Sequence, residues 1–285
     1  MMDRNAWTRR DVLRLAAAGS VAVAGGIAMA GAEKREIPIG LQLYSVRHEC
    51  ARDLDATVAK VAEMGYQGVE FAGYYGRTAR ELRGLLERNG LKCCGTHIGL
   101  DTLLGDELQK TVDFNLELGN PYLIVPWLPE ERWKTKETIL QTAQIFNEIA
   151  GKLQPHGLRV GYHNHHFEFQ KIGGETIWDL FFSNTDPSVI MQFDTGNGMM
   201  GGADPSEYIR RYPGRAVTVH VKEFSRSDPA AYIGEGDIDW PAMFRLLSEV
   251  GGTQWYIIEY EHESKPALES VARCLDNVKR ILRRA

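Results

Sequence analysis

The chain has 285 residues and is 44% hydrophobic and 25% charged, which suits a globular protein with a sizeable core. Its 33 basic and 38 acidic residues leave a charge of −5 with no basic run, which argues against a nucleic-acid partner. Four cysteines (Cys50, Cys93, Cys94 and Cys274) are too few for a disulfide framework in a chain this long, and a Cys50–Cys274 bridge stays open.

The first 32 residues differ from the rest. Thr8-Arg9-Arg10-Asp11-Val12-Leu13 is a twin-arginine pattern, and an Ala/Gly-rich run without an acidic residue follows from Leu15 to Ala32. Ala28-Met29-Ala30 and Ala30-Gly31-Ala32 offer cleavage points. This layout predicts an export signal over 1–32 and a folded domain over 33–285, in the periplasm or outside the cell. The run is too weakly hydrophobic to favour a retained anchor, so no stable membrane span is expected after its removal. Removing it takes away four Arg and two Asp, leaving 29 basic and 36 acidic residues and a charge of −7.

From Ile37 onward, strand-like and helix-like segments alternate. Strands are predicted over Ile37–Ser45, Gly68–Ala72, Lys92–Gly99, Tyr122–Trp127, Arg159–Phe167, Val189–Asp194, Ala216–Lys222 and Gln254–Glu259. Amphipathic helices are predicted over Leu54–Met64, Ala79–Asn89, Asp106–Leu118, Lys136–Leu153 and Ala267–Arg283, several of them followed by a glycine. Eight strands in this rhythm over about 250 residues predict an α/β fold, a single (β/α)8 barrel. A doubly wound sheet is the weaker reading, because Tyr44-Ser45-Val46-Arg47 follows the first strand where a glycine-rich phosphate turn would stand.

Period-two alternation assigns side chains to the lumen. It points Gly40, Gln42 and Tyr44 inward from the first strand, Gly161, His163 and His165 from the fifth, and Ile190, Gln192 and Asp194 from the sixth. In the seventh strand it points Thr218, His220 and Lys222 inward and turns Val217, Val219 and Val221 toward the helices, while Cys93 and Cys94 take opposite faces. Four strand ends thus carry metal-type side chains: His163, Asp194, His220 and Glu259. Four ligands at the carboxyl ends of four barrel strands are how such a fold assembles one metal site. Glu70, His97 and His165 lie where substrate would be held, and Lys222 stands beside His220 to stabilise a developing oxyanion. His166 is turned away, and Glu261 and His262 read as solvated. The Gly234-Glu235-Gly236 loop reads as a cover for the site, with Glu235 near substrate.

These motifs together resemble the xylose-isomerase-like barrel family, often called sugar phosphate isomerases/epimerases. The resemblance rests on Leu41-Gln42-Leu43-Tyr44-Ser45-Val46-Arg47, Gly68-Val69-Glu70-Phe71, Tyr162-His163-Asn164-His165, Phe193-Asp194-Thr195-Gly196-Asn197, His220-Val221-Lys222-Glu223, Gly234-Glu235-Gly236-Asp237-Ile238-Asp239-Trp240 and Ile258-Glu259, in that order. It implies one divalent metal held by Asp194, His220, Glu259 and a fourth ligand, usually a glutamate, whose place is taken here by His163. Such a set suits Mn, Zn or Co better than Mg. The resemblance also implies an arginine near substrate, at Arg226, and a proton-abstracting role for Glu259.

With one of the two usual glutamates gone, His163 or Glu168 would have to serve as the second base of an epimerase. Elimination, for instance from a 3-keto-glycoside, is the alternative, and a non-catalytic sugar-binding barrel is a third reading. Apurinic endonucleases share the barrel but need histidines absent here: Asn197, Trp127 and Arg226-Ser227-Asp228 stand in their places. A free sugar or glycoside is the expected small-molecule partner, and the oligomeric state stays open.

Overall fold

The computed structural model describes residues 36–284, so the export-signal reading of 1–32 lies outside the described residues. Eight parallel strands form the central sheet: β1 (Ile39–Gln42), β2 (Gly68–Ala72), β3 (Lys92–His97), β4 (Tyr122–Val125), β5 (Arg159–His163), β8 (Ile190–Gln192), β9 (Thr218–Val221) and β10 (Trp255–Ile258). Between β5 and β8 a small antiparallel hairpin is made by β6 (Lys171–Ile172) and β7 (Glu175–Thr176). The sheet order is β8-β5-β4-β3-β2-β1-β10-β9. The remaining edges, β8 and β9, meet through a parallel bridge between Asp194 and His220, where the His220 N–H donates to the Phe193 carbonyl at 3.0 Å. The Met191 N–H donates to the Arg215 carbonyl at 2.9 Å below it. The chain is therefore the single (β/α)8 barrel that the alternation predicts, and its closing seam runs through two of the metal-type residues.

The helices start where local chemistry dictates. Thr78 and Glu81 form a reciprocal capping box at the start of Ala79–Arg88, Thr135 caps Lys136–Leu153, and Asp53 caps Leu54–Glu63. Gly119 ends Glu107–Leu118 at a φ of 81°, a left-handed conformation that a side chain would strain. Short helices Arg47–Arg52, Ile177–Phe182, Thr195–Met200, Pro205–Arg211 and Trp240–Leu246, with the longer Ala267–Leu282, add to the described ring. No described helix is long and apolar enough to cross a membrane.

The outward strand faces, including Leu41, Val69, Phe71, Val160, Val219 and Ile258, pack with the helices into one main core. The lumen holds two small apolar clusters, Cys94 with Trp255 and Ile257, and Ile124 with Ile190 and Val217. Cys93 and Cys94 face opposite ways as alternation predicts, and all four cysteines, Cys50 and Cys274 included, are buried free thiols. Val217 departs from its expected outward direction. It precedes the first laddered residue of β9, and its carbonyl accepts from both Gln254 and Trp255, so the pleat has not begun there.

Candidate metal and catalytic site

β5, β8, β9 and β10 are consecutive around the barrel, and each delivers one donor to the same end of the lumen. His163, Asp194, His220 and Glu259 are all buried, and one ligand atom from each lies within 4.8 Å of the others. His220 Nδ1 stands 3.0 Å from Glu259 Oε2 and 3.8 Å from Asp194 Oδ2. Asp194 is placed by its backbone surroundings. Its Oδ1 caps helix Thr195–Met200 by accepting from the Asn197 N–H at 2.7 Å, while Asn164 accepts the Asp194 N–H at 2.8 Å and donates to its carbonyl at 3.1 Å. That leaves Asp194 Oδ2 and His163 Nδ1 buried without a hydrogen-bond partner among the described residues.

Buried polar atoms rarely stay unpaired, and two of them inside a four-donor cluster fit a bound cation. The electrostatics agree. Burial, helped by His220 and His97, holds the His163 imidazole well below its ordinary pKa, so it is neutral with a free lone pair. Burial raises the Asp194 carboxyl to about 7, with the Glu259 charge acting the same way and Lys222 and His220 offsetting only part of it.

Glu70, expected at the substrate rim, lies beneath this quartet with no exposed surface. Its Oε2 accepts from Gln42 Nε2 at 2.7 Å and stands 2.6 Å from His220 Nε2, and its Oε1 accepts from Gln192 Nε2 at 2.7 Å. It thereby holds the far nitrogen of His220 and turns Nδ1 toward Asp194 and Glu259, the carboxylate–histidine arrangement that orients metal ligands. Gly95 makes room for it, since a Cβ there would sit 2.4 Å from Glu70 Oε1. His97 stacks on His220 with ring centres 5.3 Å apart, and its Nε2 is engaged by Gln192 at 2.7 Å and Glu70 at 3.2 Å. His97, His163 and His220 form a second group of potential donors, but His97's engaged nitrogen favours the quartet.

Lys222 supplies the cationic side. Its Nζ lies 3.5 Å from Glu259 Oε2 and 3.9 Å from Asp194 Oδ2 and forms an ion pair with Glu261. Burial would strip the ammonium of its proton, but Glu259, Asp194 and Glu261 outweigh it and push the pKa above its ordinary value. Burial likewise works to raise Glu259, yet Lys222 and His220 hold its carboxyl well below the usual range, ionised. His220 is pushed up to about 10, because Glu259 and Glu70 overcome its burial.

The other expected residues are distributed more widely. His165 lies beside His163, ring centres 5.3 Å apart, and is part-exposed toward the mouth. Arg226 has an 81% exposed side chain and pairs with Asp237 at 3.5 Å, and the site is built without it. Glu235 pairs with Arg273 at 2.7 Å and accepts from Asn277, both on helix Ala267–Leu282, so it faces that helix. Gly234 is fastened by its N–H to Glu223 Oε2 at 2.6 Å, and Trp240 Nε1 donates to the same oxygen at 2.7 Å, so this loop is pinned. Glu168 is buried, its two oxygens accepting from Tyr162 Oη and the His165 N–H at 2.8 Å each.

Glu261, expected to be solvated, is part-exposed and forms an ion pair with Lys222. The residues that sequence reasoning left without a role are Gln42, Gln192 and Asn164. Alternation places both glutamines in the lumen, and buried amides there signal a carboxylate in need of donors.

A family model described as xylose isomerase-like TIM barrel matches residues 58–278. An inosose dehydratase of Geobacillus kaustophilus is 25% identical over 250 residues, covering 73% of this chain and 80% of that protein. A crystal structure described as a sugar phosphate isomerase/epimerase from Parabacteroides distasonis superimposes with a TM-score of 0.74 at 28% identity, covering 85% of this chain and 97% of that one. A D-allulose 3-epimerase from Methylomonas sp., at 14% identity and a TM-score of 0.64 over 87% of this chain and 98% of that one, shares the fold.

Proposed function

Because the chain belongs to the xylose isomerase-like TIM barrel family, we propose that it is a divalent-metal-dependent enzyme of the sugar isomerase/epimerase class. It would remove a proton from the carbon next to a carbonyl of a free sugar or keto-sugar. The observation that carries this reading is an ionised Glu259 beside a charged Lys222, 3.5 Å apart, at the lumen end where the donor quartet converges. A divalent cation held by His163, Asp194, His220 and Glu259, with Mn, Zn or Co suited to two imidazoles and two carboxylates, would supply Lewis-acid polarisation of the substrate oxygens.

Glu259 takes the proton, and Lys222 Nζ stabilises the oxygen that gains charge. One base on one face is enough to move a proton between adjacent carbons, which is isomerisation. Epimerisation needs a second base, and His163, the neutral imidazole standing where the second glutamate is usual, would have to serve as that base while also holding the cation. His163 in place of the usual glutamate favours a second reading, β-elimination, in which Glu259 takes the proton from the carbon, the bond to the β-oxygen breaks, and Glu259 returns that proton to the departing oxygen. The inosose dehydratase relatives support it, as proteins named for a dehydration. The twin-arginine pattern at residues 8–13 supports an exported enzyme, and with it an unphosphorylated sugar or glycoside.

Proton NMR of candidate keto-sugars and glycosides in deuterated water, with Mn, Zn or Co added, tests the assignment. Deuterium at the carbon next to the carbonyl, or release of an aglycone, is expected, and Glu259→Gln should reduce either by at least about a hundredfold. Metal binding without exchange or turnover of any sugar would leave a binding protein and overturn the enzyme reading. Unchanged turnover in the variant would remove Glu259 as the base.

A further inference from the structure

Outside the quartet, the feature that no role above absorbs is a groove of about 650 Å³ beside the barrel mouth. One wall is the segment that follows β4, with Trp127, Leu128, Glu130, Trp133 and Lys134, and the other is the segment from Phe167 through the β6–β7 hairpin to Ile177. Trp127 is the conspicuous member. It stands two residues past the end of β4, on the catalytic face, with 57% of its surface exposed, whereas Trp133, Trp178, Trp240 and Trp255 are buried. Two ring contacts link the groove wall to the quartet, the first edge-on and the second parallel. His163 meets His165 with centres 5.3 Å apart, and His165 lies parallel to Phe167, a groove residue, at 6.1 Å.

We infer that this groove is a subsite for a second ring of the substrate, a sugar or aromatic group glycosidically joined to the sugar at the quartet, seated against the face of Trp127. The inference rests on the sugar-processing reading above and narrows it to glycosides. A pyranose presents C–H groups on its faces and hydroxyls at its edge. An exposed indole face with Phe167 and Ile172 suits the first, and Glu130, Lys134, Gln170 and Lys171 around the rim suit the second. The volume exceeds what one side chain would fill and lies in the range of small-molecule sites. Its mixed lining also distinguishes it from the uniformly apolar strip that a partner helix would seek.

The test is binding and turnover of one-ring against two-ring probes by the full chain loaded with metal. Saturation-transfer NMR with glucose, cellobiose and phenyl β-glucopyranoside gives affinities, and the 3-keto forms of the same probes give kcat/KM. Both two-ring probes should outperform glucose by tenfold or more, Trp127→Ala should reduce that preference to within about threefold, and Trp127→Phe should restore most of it. Equal affinity for one-ring and two-ring probes in the wild type, or a preference that survives Trp127→Ala, overturns the subsite. A wild-type oligomer that Trp127→Ala dissociates also overturns it, because the groove would then be a contact between copies. The two readings fail separately: absence of turnover with a binding preference that depends on Trp127 sinks the enzyme reading alone.

Discussion

Asp194 serves two purposes that pull in opposite directions. Its Oδ1 caps a helix, a task asparagine performs equally well, while its Oδ2 is a buried carboxylate oxygen to which no group among the described residues donates. Burial has raised the group from 3.8 to about 7, so the folded chain prefers the protonated form. A raised pKa contributes stability that is complete below the unfolded value of 3.8 and lost as pH rises through about 7. At pH 8 the metal-free protein therefore carries the whole penalty. Asp194→Asn keeps the cap and removes the charge. In chelator at pH 8 it should melt above wild type, by about 2–4 °C per kcal/mol relieved, and the advantage should shrink toward pH 4. The same variant should lose metal-induced stabilisation. A variant that melts below wild type at pH 8 would show that the charge is already compensated without an ion.

At the scale of elements, the sequence pattern located every barrel strand but overran most of their ends. The first strand is predicted to Ser45 and stops at Gln42, because the Gln42 side chain accepts the Tyr44 N–H and turns Leu43–Val46 into a 3-10 turn, leaving Tyr44 exposed. The fifth is predicted to Phe167 and stops at His163, because the Asn164 side chain crosses to both backbone groups of Asp194. Periodicity sees apolar spacing and is blind to a side chain that replaces a ladder bond. The same blindness explains the site. His163, Asp194, His220 and Glu259 were legible because a strand end fixes direction, whereas Arg226, Glu235 and Glu261 lie on returning chain whose course depends on distant partners such as Arg273 and Lys222.

Strand β5 also shows how close packing carries the ligands. A Cβ at Gly161 would lie 2.7 Å from Ile190 Cβ and 2.8 Å from its backbone oxygen, so Gly161→Ala must push β5 from β8. Urea denaturation should show a loss of about 1–3 kcal/mol. Metal affinity should fall with it, since His163 and Asp194 ride on the displaced strands, and unchanged stability would mean that the lumen yields there.

Over the whole molecule, the quartet links four consecutive strands and straddles the seam where β8 meets β9 through the one-residue Asp194–His220 bridge and the Met191–Arg215 backbone bond. Elsewhere each pair of neighbouring strands is held by a multi-residue register, so this seam is the thinnest part of the ring. An ion that draws His163, Asp194, His220 and Glu259 together would bind the closed barrel and have no comparable site in the unfolded chain. Its stabilisation then follows mass action: free ion at a hundred times Kd contributes about 2.7 kcal/mol. For a domain of this size that is a rise of roughly 5–10 °C in melting temperature. Dialysed protein titrated with Mn, Zn, Co and Mg in a thermal melt should show the rise, reversed by chelator, with Mg the weakest. Hydrogen exchange should localise the added protection to the β8 and β9 amides, where the ring has least backbone pairing to lose. If none of the four ions shifts the melt, the two partnerless donors at the centre of the barrel hold no cation and the quartet is a polar plug.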